Sequence, residues 1–220
     1  TENLSEEDVL IALYKGFKKF QAEVPIFDFV LSPCFRKEEH FFDNEKFDSK
    51  EDHFIYQVNS IIKFREKHPE IGEYLTEVDT VGDEKELYRK KHFYQMKNGL
   101  RRLQYNGFKI RSHHGETWKN LRTGVQSVDN AMNIWHINTL EHGLSLGINP
   151  NFYFHRLFQR VMEKNKASQP INKRSSEFLE INDMEWHDSI VKEKIIKGEP
   201  LSEEEEKTFL KTKFHTAREI

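Results

Sequence analysis

Residues 107–147 read GFKIRSHHGETWKNLRTGVQSVDNAMNIWHINTLEHGLSLG. Two short runs in this stretch end in His and Gly: residues 110–116 (IRSHHGE) and residues 139–143 (TLEHG). Each has the pattern of a buried strand that ends in a polar cluster. Between them lies a stretch of helical length. The order is strand, helix, strand, with the reactive side chains where each strand stops.

The same alternation extends upstream. Residues 74–82 read as a strand that ends in Gly82-Asp83-Glu84. A long helix is expected over 85–105, stopped by Asn106-Gly107. Strands are then expected at 108–112 and 138–141, with mostly helix over 118–134. The first strand is expected at 25–33, an apolar run bracketed by Pro25 and Pro33, and a polar loop at 34–50. Ser5, followed by three acids, reads as the N-cap of a helix carrying Val9, Leu10, Leu13, Tyr14, Phe17 and Phe20 at helical spacing. A second helix, over 54–67, is ended by Pro69. Four strands alternating with helices argue for an α/β fold with parallel strands and crossover helices. In a parallel α/β barrel the carboxyl ends of the strands form the active face.

No strand pattern follows Gly147. Helices are expected over 151–165 and 177–197, the second capped by Gly198, with a polar linker at 166–176. Ser202 and Glu205 form a capping box, which makes the four-glutamate run at 203–206 a solvated helix start. The expected organisation is a β/α region over 1–165 and a helical insertion or appendage over 166–220.

Composition excludes several classes. The chain has 220 residues and a net charge of −3, so no basic field argues for nucleic acid. No run approaches the ~18 apolar residues of a membrane helix, so no membrane partner is expected. The acidic beginning is not a signal peptide. A single cysteine, Cys34, excludes an internal disulfide framework and fits a reducing cytoplasm; it is expected to be a small buried residue. Thr1 in place of Met suggests a fragment or a processed chain.

The chemistry centres on His113, Glu116 and His142. A strand-end His suits zinc, because neutral imidazole is a good ligand. Glu116, past a glycine, can turn back to shuttle a proton, and His142 on the next strand can hold a water or take its proton. The alternative is that all three are polar loop residues near the surface. His53, His92 and His155 are expected to be structural or surface residues. His-Glu-x-x-His, the paired cysteines of cytidine-type deaminases, a Walker A loop and Gly-x-Gly-x-x-Gly are all absent.

Residues 78–84 (VDTVGDE), 113–116 (HHGE) and 141–143 (EHG) resemble, in order and spacing, three consecutive motifs of the metal-dependent adenosine and AMP deaminases. That family is an amidohydrolase-type TIM barrel. The resemblance implies a zinc-dependent hydrolytic deamination of adenosine or an adenine nucleotide, releasing ammonia. It implies His113 as a zinc ligand, Glu116 as the acid that protonates the purine ring nitrogen, His142 as the base, and the Gly82 backbone as a purine contact. His114 stands where the family has Ala, and Glu141 where it has Gly. The family's opening His-x-His strand and its late Asp strand have no counterpart here. The resemblance covers about residues 25–165, corresponding to strands three to six of eight, so the remaining ligands are expected outside this segment of a larger enzyme.

Residues 28–37 (DFVLSPCFRK), 144–151 and the helical tail are similar to the deaminase subunits of the RADAR antiphage defence systems. That similarity implies a homo-oligomeric shell beside an ATPase partner. A catalytically degenerate deaminase-like scaffold is the alternative function. Arg36, Lys37 and Arg111 are the basic residues available for a substrate phosphate.

Overall fold

A computed structural model describes residues 4–220. The chain divides into two compact units, Thr1–His114 with Asp129–His142, and Gly115–Val128 with Gly143–Ile220.

The first unit begins with α1 (Glu6–Glu23). The expected cap is present: Ser5 Oγ accepts the Asp8 N–H at 3.1 Å and the Asp8 carboxylate accepts the Ser5 N–H at 3.1 Å. The strand expected at 25–33 is not formed. β1 is Cys34–Arg36, inside the segment read as a loop. The aromatic residues of the earlier segment pack on α1 and its surroundings instead. Phe29 stacks on Tyr74 at 4.5 Å between ring centroids and meets Phe17 at 5.1 Å. Only the end of that segment approaches the sheet, where the Pro33 carbonyl accepts the Asp79 N–H at 2.9 Å.

α2 (Lys50–Lys67) starts at a Ser49 cap, four residues before the expected start at Phe54, and buries Phe54, Val58, Ile61, Ile62 and Phe64. A one-turn helix, α3 (Pro69–Gly72), leads to β2 (Glu77–Val81). The long helix expected over 85–105 is shorter. Glu86 is left-handed at φ 53° and Lys90 is extended, so a 3-10 turn at Leu87–Arg89 precedes α4 (Phe93–Tyr105). β3 is Lys109–His114 and β4 is Thr139–His142. Between them run α5 (Leu121–Asn130) and a π-helical turn, Ala131–Trp135.

The four strands form one parallel sheet in the order β1-β2-β3-β4. The register aligns Cys34 with Asp79, Asp79 with Arg111, and Arg111 with Thr139. Alternation then separates two faces. Phe35, Val78 and Ile110 enter the core with Phe54, Met96 and Leu100 from α2 and α4. The opposite face carries Cys34, Glu77, Asp79, Arg111, His113 and Glu141. Cys34 is exposed on this face at the edge of the sheet, not buried as expected.

The second unit contains α6 (Pro150–Lys166), α7 (Ser176–Asp183), α8 (Ser189–Lys197) and α9 (Glu203–Arg218). Its core includes Leu121, Phe154, Leu157, Val161, Ile181 and Phe209. The single helix expected over 177–197 is two. Asp188 caps the second by accepting the Ile190 N–H at 2.9 Å and the Val191 N–H at 3.2 Å. The segment read as a linker is packed, with Ile171 buried and its N–H donated to the Ile196 carbonyl at 3.0 Å. Gly198 is left-handed, as expected for a helix stop, and Ser202 with Glu205 forms the expected capping box. No helix among the described residues is long and apolar enough to cross a membrane.

Candidate active site at the carboxyl ends of the strands

His113 is the fifth residue of β3 and lies on the polar face of the sheet. Its Nδ1 is 3.1 Å from Asp79 Oδ1 on β2. A carboxylate can only accept, so Nδ1–H donates, and in the neutral ring Nε2 then carries the lone pair. Asp79 is 6% exposed, which places this ion-supported hydrogen bond largely out of water. His142 ends β4 with a left-handed backbone, φ 70°. Its ring centroid is 5.0 Å from that of His113. A non-glycine residue in this conformation carries backbone strain of the kind that clusters at functional sites. The two histidines expected to act together therefore stand together, and Asp79 joins them.

Gly82 follows β2 directly, at φ 98°. Any Cβ there would collide with the Glu38 carboxylate. Glu38 accepts the Asp83 N–H at 3.3 Å and a bond from Arg36 Nε at 3.1 Å. Burial pushes the Glu38 carboxyl up, but Arg36 and the neighbouring backbone N–H groups outweigh it and hold it below the usual range. A glycine that is left-handed and pressed by a carboxylate leaves its backbone as the only group it can offer.

Glu116 lies three residues past His113 and is exposed. It follows Gly115, which is left-handed at φ 70°. Within the second unit the two His-Gly turns lie against each other. The Ser145 N–H donates to the Gly115 carbonyl at 3.0 Å. A Cβ on Gly115 would fall 2.7 Å from Ser145 Oγ and 3.2 Å from the Gly143 Cα. Only glycine allows that approach.

The two departures from the resembled motifs each have a partner. His114, 2% exposed, sets Nδ1 3.1 Å from Glu84 Oε2 and meets the Trp135 ring edge-on at 5.5 Å. Burial pushes His114 down to about 4, against the opposing pull of Glu84, so it is neutral at physiological pH. Glu141 Oε1 lies 2.9 Å from Arg111 Nη1, and Arg111 Nη2 lies 2.9 Å from Glu77 Oε1. One guanidinium thus spans β2, β3 and β4.

This pairing changes the reading of the basic residues. Arg111 is bridged by two carboxylates, Arg36 pairs with Glu38, and Lys37, 1% exposed, donates to the His113 carbonyl. His92, expected to be structural, is buried, and its Nε2 donates to the Lys37 carbonyl at 2.7 Å. Asp79 and Glu84 were not assigned a role from the sequence, and Lys37 was read as available for a phosphate, not as a partner of His113. Asp79 and Glu84 lie within the VDTVGDE motif that was quoted, but only the folded structure shows that they meet His113 and His114.

As a metal site the arrangement fits in part. Neutral imidazole held by a carboxylate on its far nitrogen is the usual support for a zinc-binding His. Among the described residues, no group of three or more His, Cys, Asp or Glu side chains could hold a metal by themselves. A comparison with protein-family models and with characterised proteins finds no match for the chain.

Proposed function

We propose that this chain supplies part of the active site of a zinc-dependent hydrolytic deaminase of adenine compounds, built on a (β/α)8 barrel. The observation that carries the reading is the Asp79–His113–His142 arrangement. It stands at the carboxyl ends of consecutive parallel strands, with the left-handed Gly82 at the end of the strand that bears Asp79. Four parallel strands in sequence order, with the core helices on one face, are the repeating pattern of such a barrel.

His113 would hold the zinc through Nε2, with further ligands from outside the described residues. The chemistry a bound zinc supplies is acidification of the attacking water, so that attack occurs at neutral pH. His142, beside His113, takes a proton from that water as it attacks the amino-bearing carbon. Glu116 gives a proton to the purine ring nitrogen, which lets the ring accept the electron pair. The Gly82 N–H donates to the purine and fixes its orientation. Asp79 keeps His113 in the tautomer that presents Nε2.

The engagement of Arg36, Lys37 and Arg111 favours adenosine over its phosphates, because none of the three is spare to neutralise a phosphate. The test is ammonia release from adenosine by zinc-loaded protein and by its Glu116→Gln form. The reading expects turnover in the first and loss of at least about a hundredfold in the second, the usual scale for a general acid. Equal rates would remove Glu116 from the chemistry.

A further inference from the structure

One buried acid of the second unit has no part in the chemistry proposed above. Glu180 stands on α7, in the tail expected from the sequence to be an insertion or appendage, and is 4% exposed. Its Oε1 accepts the Tyr153 hydroxyl at 2.6 Å and the Leu121 N–H at 2.9 Å. Tyr153 lies on α6, and Leu121 is the first residue of α5. One carboxylate oxygen thus joins three helices of the unit. Burying a carboxyl group is costly unless it is paired, and both of these bonds are made out of water, where they are strongest.

The bond to Leu121 falls at the amino end of α5, where a helix has N–H groups that its own turns cannot satisfy. Asn120 supplies a local cap. It accepts the Thr123 N–H at 2.9 Å and donates its own N–H to Thr123 Oγ1 at 3.2 Å. That cap ties the turn to itself, whereas Glu180 ties it to the tail. Arg122 also reaches the tail, through Glu185 at 2.6 Å, but both partners are more than a third exposed and such a pair holds little.

The segment that precedes Leu121 carries Glu116 and is folded onto α5. A Cβ on Gly115 would fall 2.8 Å from Val128 Cγ2, and one on Gly124 would fall 2.9 Å from the Trp118 ring. The Gly115 carbonyl is held at the other end by the Ser145 N–H at 3.0 Å. Segment and helix are packed as one body, so what fixes Leu121 also fixes Glu116.

We infer that Glu180 is a positioning residue for Glu116: through the Leu121 N–H it anchors the amino end of α5, and the segment folded on it, to the helical tail. The inference rests on the proposed role of Glu116 as proton donor. A catalytic group displaced by about 1 Å can lose about a hundredfold in rate, so a distant tether of this kind is felt in kcat.

The test reads hydrogen exchange over residues 115–124 beside ammonia release from adenosine, both on full-length, zinc-loaded protein. Tyr153→Phe removes one donor to Glu180 and keeps the Leu121 bond. Glu180→Met combined with Tyr153→Phe removes both partners of the tyrosine bond, so that no hydroxyl is stranded and only the Leu121 N–H loses its acceptor. Glu180→Gln keeps an accepting oxygen. The expected result for the double variant is exchange at 115–121 faster by about tenfold or more, with exchange in α9 unchanged. Its kcat should fall about 10- to 100-fold while KM and bound zinc stay with the parent. Tyr153→Phe and Glu180→Gln should match the parent in both readouts. Unchanged exchange in the double variant overturns the inference. So does faster exchange with an unchanged kcat, or an equal loss in Tyr153→Phe, which would make the effect one of packing. A parent that releases no ammonia fails the deaminase reading instead; exchange in the double variant then still upholds or overturns the tether.

Discussion

The Asp79 carboxylate stands 3.1 Å from Nδ1 of His113, across the β2–β3 pair. A one-strand offset and a two-residue step make this contact. Asp79 is level with Arg111, and His113 lies on the same face one pleat further on. The carboxylate fixes the ring's tautomer and orientation. Asp79→Asn keeps the volume and removes the charge. The expected outcome is a folded protein whose zinc affinity falls about 10- to 100-fold. Zinc titration against a competing chelator measures it, and an unchanged affinity would separate Asp79 from the metal.

Glycine 82 is required by both backbone and space. Its φ of 98° disfavours any side chain, and a Cβ would collide with Glu38. Gly82→Ala is expected to displace Glu38 and the 82–84 turn. Deamination should fall through a higher KM for adenosine, since the residue would touch substrate and not the transferred proton. A fall confined to kcat would argue against a binding role.

Packing between α2 and α4 gives a prediction about stability alone. A Cβ on Gly99 would collide with the Phe54 ring and lie 3.1 Å from Val58 Cγ2. Alanine gains up to about 1 kcal/mol of helix propensity over glycine. Overpacking a filled core costs about 1–3 kcal/mol. Phe54 and Val58 are fully buried and cannot swing into solvent, so the collision wins. Gly99→Ala should lower the urea midpoint of the first unit, and a raised midpoint would show that α2 and α4 separate easily.

Glu180 in the helical unit makes stability depend on pH. It is 4% exposed, and its Oε1 accepts the Tyr153 hydroxyl at 2.6 Å and the Leu121 N–H at 2.9 Å. Burial, opposed by those two donors, pushes its carboxyl up to about 7 from the ordinary 4.5. Between those values the folded chain holds a proton that the unfolded chain has lost. Stability from this site is therefore complete below about pH 4.5, falls as pH rises through about 7, and is level above. The change is on the order of 3 kcal/mol. Glu180→Gln keeps the accepting oxygen and removes the ionisation. Urea unfolding at pH 5 and pH 8 should show the variant more stable than the parent at pH 8 and close to it at pH 5. An equal difference at both pH values would contradict the assignment.

The sequence carried the local features well. The N-cap at Ser5, the capping box at Ser202, the stop at Gly198 and the buried residues of α2 depend on neighbours a few positions away, and all are found. β2, β3 and β4 fall within a few residues of their expected places because their apolar runs are flanked by turn residues. β1 was misplaced because an aromatic run between prolines reads the same whether it pairs in a sheet or covers a helix. The break at 184–188 was missed because Asp188 looks like any solvated acid until its capping bonds are seen. In the site, His113, His142 and Gly82 were legible as strand-end motif residues. The partners of His113 were not, because Asp79 and Lys37 meet it across the sheet through strand register, which periodicity does not encode.

The most direct measurement of the central claim is absorbance. Full-length protein with bound zinc quantified is mixed in turn with adenosine, AMP and ATP, and the shift from adenine to hypoxanthine absorption is followed. The account predicts a shift that is fastest with adenosine and disappears in His113→Ala. Zinc-loaded protein that shifts none of the three, or a shift that survives His113→Ala, would contradict it.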